Sequence, residues 1–130
     1  MGQVTLGLLY GCEAPPVETT EEEFWYDLAE GFNKEVVGPY DWRKPTPRVR
    51  HETEGGKELI GVWVAVGGCG EDGVPYLTEK AMPLDQIAEA FRESVAQAEN
   101  LWFQFMDHCH KKYGIFLPNP ALWLTPCEVA

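Results

Sequence analysis

An α+β fold is what this sequence predicts, and three observations carry the prediction. Residues 3–10 alternate Val4, Leu6, Leu8 and Tyr10 against Gln3, Thr5 and Gly7, the period of a half-buried strand. Residues 83–113 repeat apolar side chains every three or four positions, the period of an amphipathic helix. Residues 59–67 (LIGVWVAVG) are apolar on both faces, as in a strand covered on both sides. With a helix over 21–35 and a short final strand over 121–125, the order reads β-α-β-β-α-β. That is the split βαβ, or ferredoxin-like, order: a single domain over 1–130, one antiparallel sheet, two helices on one face, and the first and third strands central.

Taken along the chain, Gly11 to Pro16 end the first strand. Thr20 and Glu23 then have the spacing of a capping box, and Glu21 and Glu22 place negative charge where the helix dipole favours it. Phe24, Leu28 and Phe32 form the inward stripe, with Trp25 beside them. Residues 37–57 contain three prolines, no helical period and a Gly-Gly end, and read as a long Pro-rich basic connection with a short extended piece at 48–50. The run 59–67 follows, and Gly67 to Gly73 turn the chain into a return strand over 74–80, which Pro75 moves toward an edge. The second helix has Leu84, Phe91, Val95, Ala98, Trp102, Phe105, Cys109 and Tyr113 on one face. Pro83 suits its start, and Lys111, Lys112 and Gly114 suit its end.

One element sits awkwardly. In the split βαβ order the most apolar strand, 59–67, would lie at an edge. Its second edge must then be met by a different strand order, by the 37–57 connection, or by a second copy across a two-fold, making a homodimer.

Composition limits function. Twenty-one Asp and Glu against ten Lys and Arg give −11, with 45% hydrophobic residues. A net cationic footprint is what nucleic acid and anionic membranes require, so neither is expected as a direct partner. No run approaches the ~20 apolar residues of a membrane span, and the apolar stretch before Cys12 is short and lacks a preceding Lys or Arg. The expected location is cytoplasmic. Cys12, Cys69, Cys109 and Cys127 have no CxxC spacing and are expected as free thiols.

Several motifs have plain structural readings. Gly68 to Gly73 match GxGxxG, but a strand-like Val74-Pro75-Tyr76 follows where phosphate binding needs a helix N-terminus, and Glu71 and Asp72 would repel an anion. Acids beside Cys69 raise its thiol pKa, which argues against a nucleophile. In His108-Cys109-His110 the two imidazoles would point about 200° apart on a helix, so they do not share an ion. No metal, cofactor or catalytic residue is expected.

Two segments stand out by charge. Residues 13–30 hold Glu13, Glu18, Glu21, Glu22, Glu23, Asp27 and Glu30 with no basic residue. Such a face steers a basic partner, and Trp25 and Tyr26 are aromatic anchors of the type that dominate interfaces, although Trp25 also fits the inward stripe. Conversely, 41–57 is net +2 against −13 for the rest, through Arg43, Lys44, Arg48, Arg50 and Lys57. Together with Trp42 and His51 these form a candidate anion-binding loop, or one that folds over the acidic helix. The leading expectation is a small acidic, non-enzymatic protein-binding module. By analogy of size and charge, that describes inhibitors or immunity-type antagonists of nucleases or of CRISPR-type defence. The alternatives are a small-anion or metabolite-binding protein or enzyme using the 43–51 loop, and a homodimeric structural domain without a ligand.

Overall fold

The computed structural model describes residues 3–19, 21–39, 47–53, 56–64, 68–69, 75–76 and 83–129. In chain order the elements are β1 (Gln3–Glu13), α1 (Phe24–Phe32) continued by one π turn (Asn33–Val37), β2 (Val49–Glu52), β3 (Leu59–Trp63), β4 (Gly68–Cys69), β5 (Pro75–Tyr76), α2 (Leu84–Tyr113) and β6 (Ala121–Val129). The main sheet has the order β2-β3-β1-β6 with every neighbouring pair antiparallel, and β4 and β5 form a separate two-stranded ribbon. The chain is thus an α+β domain with a four-stranded antiparallel sheet and two helices.

The apolar strand is central. β3 pairs with β1 through Leu9↔Trp63 to Glu13↔Leu59, and with β2 through Val49↔Val62 to Glu52↔Leu59. All five of its residues are buried. The 37–57 connection supplies the missing neighbour, so the hairpin expected between 59–67 and 74–80 forms instead between β2 and β3. Val49-Arg50-His51-Glu52 alternates and lacks proline, so it can enter the ladder, whereas Pro75 has no N–H to give. Of the 74–80 segment only Pro75 and Tyr76 are seen as strand, in the ribbon; residues 65–67, 70–74 and 77–80 lie outside the described residues. Because Leu59–Val62 are paired on both sides, β3 offers no free edge there for the expected homodimer.

Both helices pack on one face of the sheet. Cys12 from β1, Val49 from β2 and Ile60 and Val62 from β3 meet Trp25, Leu28, Ala29 and Phe32 of α1, and Ala98, Leu101, Trp102, Phe105 and Cys109 of α2. Phe32 packs edge-on against Phe105 at 5.2 Å between ring centroids, locking the two helices together. Aromatic pairs of this kind add ~0.5–1.5 kcal/mol beyond their burial. The opposite face holds a smaller cluster, Leu9, Leu59 and Trp63, with Trp123 packed against it.

At Gly11↔Gly61, strands β1 and β3 approach without side chains between them. A Cβ on Gly11 would fall on the Ile60 carbonyl oxygen and lie 2.5 Å from Gly61 Cα, and a Cβ on Gly61 would lie 2.5 Å from the Tyr10 carbonyl oxygen. Only glycine fits either position. The Trp123 indole N–H reaches along this row to the Gly11 carbonyl at 3.0 Å.

Element ends differ from expectation in physically informative ways. α1 begins at Phe24, three residues beyond the expected start, with Glu23 at the N-cap and no side-chain cap. Thr19 supplies a local acceptor, taking the Glu21 N–H at 3.1 Å; Thr20, the expected partner of Glu23 in a capping box, lies outside the described residues. α2 matches closely. Pro83 is its N-cap, and Gly114, at φ 67°, turns the chain so that its N–H reaches His110 O and the Ile115 N–H reaches Cys109 O. Its first turns run beyond the core, leaving Leu84 80% exposed rather than buried. β6 continues past the expected end at Thr125 to Val129, carrying Pro126 within the strand. No helix of the described residues is long and apolar enough to cross a membrane.

Candidate interaction surface

The helical period of α1 decides the fate of its aromatic residues. Trp25, Leu28, Ala29 and Phe32 share one face and are buried. Trp25 is only 4% exposed, and its indole N–H donates to the Pro15 carbonyl at 3.1 Å. It therefore anchors the 14–19 segment to the helix and is not an interface anchor, a correction to the expectation for this residue. Tyr26, one position on, is 48% exposed.

Around Tyr26 stand exposed acidic residues. Glu30 lies four positions after it on the helix and Glu23 three before it at the N-cap, Asp27 is adjacent, and Glu22 lies in the turn that leads into the helix, all exposed. Glu18 and Glu21 extend the exposed acidic surface into the segment before the helix. Among the described residues no ion pair engages Glu18, Glu21, Glu22, Glu23, Asp27 or Glu30; the four that form are Arg50–Glu52, His51–Glu58, Lys57–Glu13 and Lys111–Asp107. The described basic residues of the connection are thus turned toward other partners than the α1 carboxylates.

Those basic residues also fail to converge. Arg48 donates to the Gly38 carbonyl at 3.0 Å, at the end of the π turn. Strand alternation sends Arg50 and His51 to opposite faces of β2. Arg50 lies opposite Gly61 on the face away from the helices and 3.9 Å from Glu52, while His51 Nε2 sits 2.9 Å from Glu58 Oε1. These three do not share an anion pocket. Trp42, Arg43 and Lys44 lie outside the described residues.

The cysteine and histidine arrangements have structural roles. Burial pushes the thiols of Cys12 and Cys109 up to about 12, reinforced by Glu13 for the first and by Cys12 itself for the second. Two neighbouring neutral thiols beneath α2 are poor nucleophiles at neutral pH. His108 packs edge-on against Phe32 at 5.2 Å, while His110 lies against Phe116 at 4.4 Å, so the two rings leave α2 on different flanks. Among the described residues, no group of three or more His, Cys, Asp or Glu side chains is placed to hold a metal ion. Pro75 and Tyr76 form β5 after the Gly68–Gly73 segment, so no helix N-terminus follows those glycines.

Two features have no counterpart in the sequence reading. Asn33, fully buried at the start of the π turn, donates from Nδ2 to Val49 O at 2.8 Å and accepts the Val49 N–H on Oδ1 at 2.9 Å. Its amide thereby acts as a one-residue strand on the outer edge of β2 at Val49. The second is a shallow cavity of about 300 Å³ on the flank of α2, lined by residues that include Phe103, Met106, His110 and Phe116. The signal for the latter was present, since Phe103 and Phe116 fall off the buried stripe. For Asn33 no periodic signal exists, because a π turn is one residue out of step with the helical repeat.

Comparison with protein-family models, with curated proteins and with solved structures returns no match.

Proposed function

We propose that this chain is a small, acidic, non-enzymatic binding module that docks through the outer face of α1 onto a basic surface of a protein partner. The observation that carries this reading is the exposed Tyr26 set among Glu22, Glu23, Asp27 and Glu30, with no cation on those carboxylates among the described residues. An exposed tyrosine contributes contact area at low entropic penalty, and surrounding charges of one sign steer association more than they add affinity. Occupying a partner's basic groove in this way would block it, as an inhibitor or immunity-type antagonist does. The place of action is taken as the cytoplasm, in keeping with the two buried free thiols.

The test uses the immobilised chain, a lysate of its native source, and the triple variant Glu22→Lys, Glu23→Lys, Glu30→Lys. A basic protein retained by the wild-type chain, lost with the variant and released as salt shortens the Debye length below ~10 Å supports the reading. Once the partner is in hand, the variant should slow association by about tenfold or more and flatten its salt dependence. Equal retention by both proteins rejects this face as the interface. Tyr26→Ala should mainly accelerate dissociation.

A further inference from the structure

Among the described residues no strand pairs with the outer edge of β6, and its orientation can be read from the ladder. Val64 donates to Leu8 O and Ala14 donates to Glu58 O, so the even-numbered residues of β1 turn their backbone groups toward β3. The odd-numbered residues Gly7, Leu9 and Gly11 must then serve β6, through Thr125, Trp123 and Ala121. Leu122, Leu124 and Pro126 consequently turn their backbone groups outward. The position of Pro126, which has no N–H to offer, fits this on independent grounds.

The outer edge of the strand therefore reads Pro120-Ala121-Leu122-Trp123-Leu124-Thr125-Pro126, and its character is symmetric about Trp123. Leu122 and Leu124 are 44% and 65% exposed on the helix-bearing face. None of the usual edge protections occurs over Ala121–Thr125: no charge, no proline, no bulge. Charge points to the same segment. In a chain of net −11, positions 113–127 contain no Asp, Glu, Lys, Arg or His. The other long uncharged stretches, 1–12 and 59–70, hold the two central strands. Two copies of so acidic a molecule would repel almost everywhere except here.

We infer that β6 pairs antiparallel with β6 of a second copy about a two-fold through Trp123, joining two sheets into one continuous sheet. In that register Leu122 faces Leu124 of the other copy, and each such pair exchanges both of its outward backbone bonds. Ala121 faces Thr125, and Pro120 faces Pro126, so positions lacking a donor coincide and end the ladder on both sides. A five-residue edge with two leucines per copy falls short of the ~1,200 Å² of a standard stable interface, so a dissociation constant in the micromolar range is expected.

Sedimentation equilibrium of the full chain across low-micromolar to near-millimolar concentrations tests this. The wild-type chain should pass from monomer to dimer, and Leu124→Lys should weaken dimerisation by about tenfold or more while leaving the circular dichroism and the urea midpoint unchanged. The register has its own readout. The double variants Leu122→Lys, Leu124→Lys and Leu122→Glu, Leu124→Glu should each be monomeric, and should form a heterodimer when mixed. A chain monomeric throughout, a dimer indifferent to Leu124→Lys, or double variants that fail to associate on mixing would each overturn the inference.

Discussion

The two edges of the sheet are finished in opposite ways. At β2 the strand is four residues long, α1 and its π turn pack beside it, and the Asn33 amide satisfies both outward groups of Val49. At β6 the strand runs nine residues with no strand beyond it among the described residues, and Leu122 and Leu124 are open on the helix-bearing face. Both outward groups of an edge residue can be satisfied by a single side chain, but only one whose planar amide offers a donor and an acceptor together. Where no such group is supplied, the strand stays competent to pair. The difference lies in the elements beside each edge: α1 leads directly over β2, whereas α2 covers β1 and β3.

Breaking the sealed edge should have the largest effect. Asn33→Ala leaves a buried N–H and a buried C=O at Val49 without partners, which should destabilise the fold by about 2–6 kcal/mol, read as a lower urea midpoint. Asn33→Asp keeps the shape but sets a carboxylate oxygen against the Val49 carbonyl, so it should not rescue. In the wild-type chain, at concentrations that keep it monomeric, hydrogen exchange at the Val49 amide should be far slower than at Leu124. Asn33→Ala should abolish that contrast.

A smaller effect reports on the covered part of the sheet. Cys12 and Cys109 keep their protons in the folded chain up to about 12, whereas in the unfolded chain they lose them near the ordinary thiol value of 9.0. The unfolded state therefore binds fewer protons than the folded state between these limits, and stability falls as pH rises through them. The slope is at most about 1.4 kcal/mol per pH unit for each thiol. Urea midpoints measured from pH 8 upward should decline less steeply in Cys12→Ala, Cys109→Ala than in the wild-type chain. Smallest of all is the open edge itself: Leu124→Lys should alter monomer stability by no more than about 0.5 kcal/mol, because the side chain already faces water.

Much of this architecture was legible where periodicity is long. The stripe from Ala98 to Cys109 on α2 corresponds to the buried residues. On β1, by contrast, the alternation marks the helix-bearing face, where Leu8 and Tyr10 are half-buried, and misses Leu9, which is fully buried on the other face against Leu59 and Trp63. The two-sided apolarity of 59–67 correctly demanded two neighbours, but the sequence does not say which segment provides the second. Val49–Glu52 is too short and too charged to look like a strand on its own, and becomes one because β3 lies beside it. The acidic character of α1 could be read directly. The division of Trp25 from Tyr26 turned on a single position of helical phase, and the expected helix start was misplaced by three residues. The Asn33 contact joins residues sixteen apart through side-chain geometry, which no local pattern encodes.

The close approach at Gly11 and Gly61 has a consequence for how this chain can vary. Each glycine leaves room for the backbone opposite, so a side chain gained at either would drive the strands apart and pull the Gly11 carbonyl away from the Trp123 indole. Three residues that are distant in the gene are thereby bound into one heritable unit. Descendants of this sequence should keep both glycines together or lose both along with the tryptophan, and a substitution at one position alone should be among the rarest tolerated changes in the molecule.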